Sequence, residues 1–78
     1  MPRYYFRLTD GVDLRDPQGD ELIDDDVACR AALEILTETL DSRSDTLLAG
    51  EPYVVEATEG DGRFVYRLTV HAEKGQPS

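Results

Sequence analysis

The chain has 78 residues, 40% of them apolar, and a formal net charge of −9. That length holds one small domain with one thin core, and the charge argues against binding double-stranded nucleic acid or an anionic membrane through a broadly basic surface. A lone cysteine, Cys29, cannot form an internal disulfide, no apolar run reaches transmembrane length, and the opening "MPRYYFRLT" alternates and carries arginines, unlike a signal peptide; a soluble cytoplasmic domain is the expectation.

Residues 3–9, "RYYFRLT", alternate with period two, placing Tyr4, Phe6 and Leu8 on one face and Arg3, Tyr5, Arg7 and Thr9 on the other, as in a strand with one buried side. Asp10-Gly11 signals a hairpin turn. A two-residue loop would set Leu14 opposite Arg7 and mix the faces, so a longer loop or a bulge that sets Leu14 opposite Leu8 is favoured. "DPQG", residues 16–19, fits a type I turn, with Asp16 bonding ahead, Pro17 presetting the second position and Gly19 closing it.

Asp24 is a good N-cap, and Asp25 and Asp26 fall in a first helical turn, where the dipole favours negative charge. Ile23 before the cap is placed to pack on Ala28 as a hydrophobic staple. From Asp25 to about Asp41 the spacing is helical: Ala28, Cys29, Ala32, Leu33, Ile35, Leu36 and Leu40 form a broad apolar face, with Arg30, Glu34, Thr37, Glu38 and Asp41 opposite. Leu47 and Leu48 form a last helical turn ended by Gly50. Residues 53–70 read as a second hairpin. A two-residue turn at Asp61-Gly62 pairs Ala57 with Tyr66, Val55 with Leu68, Tyr53 with Val70 and, on the other face, Glu56 with Arg67.

These elements predict an α+β fold, a β-β-α-β-β domain over residues 1–72 with a flexible tail at 73–78. Its four-stranded antiparallel sheet carries one helix on one face and leaves the other open.

No catalytic, cofactor or metal site is assigned. The acids at Asp10, Asp13 and Asp16 lack the Asp-x-Asp-x-Asp-Gly spacing and the terminal Glu of an EF-hand loop, and turn and cap roles account for Asp10, Asp16 and Asp24. Cys29 on an apolar helix face reads as a buried, inert thiol, and His71 as a solvated side chain. There is no phosphate-binding Gly-rich loop: "EGDGR" is a hairpin turn. The sharper feature is the open face. Arg3, Arg7, Arg63 and Arg67 fall there with Tyr5, Val54 and Val65, and Tyr5, Arg7, Val65 and Arg67 form the candidate interaction face. Its bland alternative is a solvated surface whose arginines pair with Glu56 and its neighbours.

The "MPRYYF" opening, the Asp10-Gly11 turn, "DPQGDEL" at 16–22, the alanine-containing helix and the Asp61-Gly62 turn together resemble a family of short bacterial proteins known as a domain of unknown function. Its pattern is an MPRYFF opening, a DG turn, a D-x-x-G-x-E-L segment and a final strand pair around a DG turn. Ile23 stands where proline is frequent in that family, and "DSRSDTLLAG" is a longer segment after the helix. The resemblance carries no activity. A weaker one is to small antitoxin domains, which share the layout but not the opening motif. The function expected is a non-enzymatic, self-associating interaction module with a second copy or another protein as partner. The alternatives are a ligand-binding or enzymatic domain with its site at the open face, and an antitoxin-like regulator.

Overall fold

The computed structural model describes residues 1–11, 13–15 and 18–75. The strands are β1 (Arg3–Thr9), β2 (Asp13–Arg15), β3 (Asp20–Glu21), β4 (Tyr53–Glu59) and β5 (Phe64–Val70). Between β3 and β4 lie α1 (Asp25–Leu40), a 3-10 turn (Asp41–Arg43) and α2 (Ser44–Leu48). All pairings are antiparallel, in the order β2-β1-β4-β5, with β3 also on β1. The α+β layout is as expected, with one addition. The segment before α1 returns to β1 twice, and the two-residue β3 is too short to show as a period in the sequence.

Leu8 pairs with Leu14 and Arg7 with Arg15, the register of the longer first loop. The turn expected at 16–19 involves Asp16 and Pro17, which lie outside the described residues, as do residues 76–78 of the expected tail. Gly19 is described, and it has to be glycine on two counts. Its φ is +70°, and a Cβ there would sit 2.7 Å from the Tyr4 carbonyl oxygen and 3.0 Å from the Tyr5 ring.

α1 begins as its acids dictate. The Asp24 carboxylate accepts the Val27 amide at 3.0 Å, satisfying one amide that the helix itself leaves unpaired. Ile23 remains 68% exposed, so the expected staple does not close over Ala28. The buried stripe is narrower than the apolar face of the sequence: Ala28, Ala32 and Leu36 are buried, Cys29, Ile35 and Leu40 are half-buried, and Leu33 is exposed. α1 packs on β4 and β5 to similar extents. The core joins Ala28, Ala32 and Leu36 to Tyr4, Phe6, Tyr53, Val55 and Ala57. After α2, Gly50 at φ +103° ends the helix, its amide bonded to the Leu47 carbonyl.

The second hairpin keeps every expected long-range pair, Tyr53 with Val70, Val55 with Leu68, Glu56 with Arg67 and Ala57 with Tyr66, but its tip is built differently. The Gly62 amide bonds the Glu59 carbonyl at 2.8 Å, the Glu59 amide bonds the Arg63 carbonyl at 2.9 Å, and Gly62 has φ +89°. This is a three-residue loop, a type I turn followed by a left-handed glycine, in place of the two-residue turn. A longer loop shifts the register by one, and a bulge restores it: Thr58 pairs with Phe64 and Val65 is left over.

Gly19→Ala is expected to lower stability by about 1–3 kcal/mol, from the strained φ and the clash with the Tyr4 carbonyl. Gly75→Ala, in open space, should stay within about 0.5 kcal/mol. Urea unfolding midpoints at constant m-value measure both; equal midpoints would show that residue 19 is not held against β1.

Candidate interaction face

The two faces of the sheet carry different chemistry. On the helix side, Tyr4 and Tyr53 send their hydroxyls to opposite ends of α1. Tyr4 donates to Asp25 Oδ1 at 2.8 Å. Thr39 Oγ1 gives its one proton to the Ile35 carbonyl, so the Tyr53 hydroxyl donates to Thr39. Asp25 also receives a bidentate fork from Arg63, at 2.9 and 3.0 Å, and Arg63 pairs further with Glu59. Arg63 therefore lies on the helix side, not on the open face expected of it. The shorter pairing across the three-residue loop puts it opposite Glu59, on the face that Ala57 and Val55 share.

Hydrogen bonds from Arg63 and then Tyr4 hold the Asp25 carboxyl below the usual range. Burial, followed by the hydrogen bond to Asp25, pushes Tyr4 up to about 12 from 10.0.

The open face carries the cross-strand pair Arg3 and Glu21 and three further cross-strand rows. Arg15, Arg7, Glu56 and Arg67 form one, Tyr5, Thr58 and Phe64 the next, and Asp13, Thr9, Val54 and Thr69 the third. Its arginines are held by carboxylates. Arg7 grips Asp13 with two bonds of 2.7 and 2.8 Å, and Arg15 reaches the same carboxylate at 3.5 Å. Arg67 binds Glu56 at 2.8–2.9 Å, the cross-strand pair expected from the sequence, and lies 4.8 Å over the Phe64 ring. Arg3 bonds the Gln18 carbonyl at 2.6 Å and pairs with Glu21 at 3.3 Å. The Asp13 bond holds the Arg7 guanidinium above its ordinary pKa, and the Asp13 carboxyl falls for the same reason. Four arginines against Asp13, Glu21 and Glu56 leave this face at +1, in a chain of −9.

Of the four residues chosen from the sequence, Tyr5, Arg7 and Arg67 stand together on the open face. Val65 does not: carried by the bulge, it is half-buried against the core. Phe64, 52% exposed, occupies its place beside Thr58. Tyr5 lies against Gly19 and Gly60, whose missing side chains let its ring settle on the sheet margin.

The acids of residues 10–26 do not converge. Asp10 pairs with Arg43, Asp13 with Arg7 and Arg15, Glu21 with Arg3, Asp24 with a helix amide and Asp25 with Tyr4 and Arg63. Among the described residues no group of three His, Cys, Asp or Glu side chains is arranged to hold a metal ion. Cys29 is half-buried, not fully buried as expected, and its thiol is pushed up by burial and then by Asp26 and Asp25. His71 is exposed beyond β5. Among the described residues no helix is long and apolar enough to cross a membrane.

A family described as a domain of unknown function (DUF6894) matches residues 3–71. The chain belongs to that family. The match spans the whole sheet and α1, so the face and the helix clamp both lie within the family domain. No curated protein and no solved structure matches the chain.

The two displaced pKa values fix the signs of two pH effects. Asp25, depressed in the fold, contributes stability that is present above the ordinary carboxylate range and lost as pH falls below that range through the depressed pKa. Tyr4, raised in the fold, contributes stability that is complete below pH 10.0 and lost as pH rises through about 12. Phenolate absorbance should therefore contain a component titrating near pH 12 that Tyr4→Phe removes. Identical late titration in the variant would show that the Tyr4–Asp25 bond is not made in solution.

Proposed function

We propose that the chain is a non-enzymatic interaction module of the bacterial cytoplasm, with its uncovered sheet face as the contact surface. One observation carries the reading. Tyr5, Phe64, Arg7 and Arg67 share a face that no helix covers among the described residues, and both guanidinium groups are already fixed by carboxylates. Tyrosine, phenylalanine and arginine are the residue types enriched where proteins meet. Side chains immobilised before contact lose less entropy when a partner arrives. The near-balance of charge on the face favours another protein surface over a phosphate-rich ligand, which would have to displace Asp13 and Glu56.

Arg67→Glu and Arg7→Ala test the reading. Arg67→Glu places a carboxylate opposite Glu56 and should cost up to about 1 kcal/mol in stability, leaving the fold intact by circular dichroism. Partner retention by the immobilised chain, compared with wild type in the same lysate, should fall in both variants and in high salt. Unchanged retention in both folded variants would reduce the face to solvated surface.

A further inference from the structure

The sheet ends in two unlike edges. On one side β1 is flanked by β2 and β3, three and two residues long, a broken margin that offers little to another strand. On the other side β5 runs seven residues with β4 on one flank and, among the described residues, no strand on the other. Beside it, α1 and β5 enclose a groove of about 420 Å³ lined by Asp26, Cys29, Arg30, Leu33 and Tyr66. Leu33 and Tyr66 are exposed there. Arg30 has a further distinction. Of the seven arginines, it alone has no carboxylate partner among the described residues, and Asp26, one helical turn away, has no cation.

We propose that a second copy of this chain occupies this margin. In the dimer β5 pairs antiparallel with its counterpart across a two-fold axis, and the α1 helices pack side by side with Asp26 of each against Arg30 of the other. The inference rests on the reading of the chain as an interaction module but not on the open face.

Three features select a second copy over an unrelated partner. The first is charge. Opposite charges one turn apart on one helix are self-complementary: a two-fold axis runs the facing helix the other way, and about 6 Å of rise separates the two positions. The second is spacing. Because α1 packs on β4 and β5 to similar extents, and neighbouring strands lie about 4.8 Å apart, its axis lies about 2.4 Å inside β5. Two such helices across a paired edge are about 10 Å apart, the upper end of ordinary helix packing. The sheet geometry and the helix geometry thus close on the same dimer. The third is register. Tyr66 is the β5 residue in the groove, and an axis beside it brings the two Tyr66 side chains together on the helix side and keeps the two Arg67 side chains apart. An axis at Arg67 would oppose two like charges.

A charge exchange with the full chain tests the proposal. Asp26→Arg and Arg30→Asp are made separately, and sedimentation is followed over a micromolar-to-millimolar series. Wild type should be a dimer whose dissociation constant rises at least about tenfold in each variant, where like charges now meet. An equimolar mixture of the two variants should recover a dimer within about threefold of wild type, because each copy then offers the charge the other needs. Circular dichroism establishes that both variants fold, and recovery on mixing excludes a folding defect as the cause of their dissociation. A monomeric wild type throughout the series overturns the proposal, as do variants that dimerise like wild type or a mixture that stays dissociated. If Arg7→Ala dissociates the dimer while the helix variants do not, self-association belongs to the open face, and this inference fails while the proposed function stands. If the exchange behaves as expected but Arg7→Ala and Arg67→Glu retain their partners, the converse holds.

Discussion

Two tyrosine hydroxyls fasten α1 at both ends, and the length of the helix has to match the distance between them. Tyr4 stands opposite Glu59 at the end of β4, and Tyr53 is the first residue of the same strand. The six steps from Tyr53 to Glu59 cover about 20 Å of strand, and the fourteen from Asp25 to Thr39 about 21 Å of helix. Helix and strand are thus commensurate, and α1 lies along β4 and β5. One consequence is that the helix stays on one side, with the opposite sheet face uncovered. Another is that its outer flank lies beside β5, where Leu33 and Arg30 are exposed in the groove with Tyr66.

The packing under the clamp explains why small residues serve here. Ala28, Ala32 and Ala57 are fully buried in one cluster with Tyr4, Phe6 and Tyr53. Small side chains let the helix approach while the large rings fill the space to either side, as close packing requires. The ion pairs contribute unequally. Those of Arg3, Arg7, Arg15 and Arg67 are exposed, and such pairs are worth about 0–1 kcal/mol each. Asp10 differs: its side chain is 5% exposed, and its Oδ2 has no hydrogen-bond donor, only the Arg43 guanidinium at 3.3 Å. Losing the Arg43 partner would leave the buried Asp10 carboxylate without a compensating charge, although Arg43 itself is 37% exposed. The Asp10–Arg43 contact joins the end of β1 to the turn that follows α1.

Periodicity made most of this architecture legible. Alternation located β1, β4 and β5, helical spacing located α1, and Asp24 marked its start. What escaped was set by backbone geometry at single residues. Asp61-Gly62 is compatible with either a two- or a three-residue loop. The choice falls to Gly62, which takes the left-handed position after a type I turn and so shifts Arg63 and Phe64 by one. A shift of one residue exchanges faces. Hence Arg63 crosses to the helix and Phe64 replaces Val65 on the open side, while the bulge keeps Tyr66 and Arg67 where alternation put them. Apolar patterning likewise overstated the helix face, since Leu33 fits the stripe in sequence but is exposed in the groove beside β5.

The open face and the β5 edge are separate surfaces, but the proposed dimer links them. The edge offers main-chain donors and acceptors along seven residues and a helix flank with unpaired charges. The face offers rings and guanidinium planes whose charges are already matched. Pairing β5 with its counterpart would leave both open faces on the same side of one continuous sheet, away from the helices. Phe64 and Arg67, on the strand at the junction, would then lie near the centre of the combined surface, with Tyr5 and Arg7 farther out on each side. A partner with two matching patches would meet both copies at once, and its second contact would form at the high effective concentration set by a rigid sheet. Edge pairing would in this way strengthen binding at the face without adding a side chain to it.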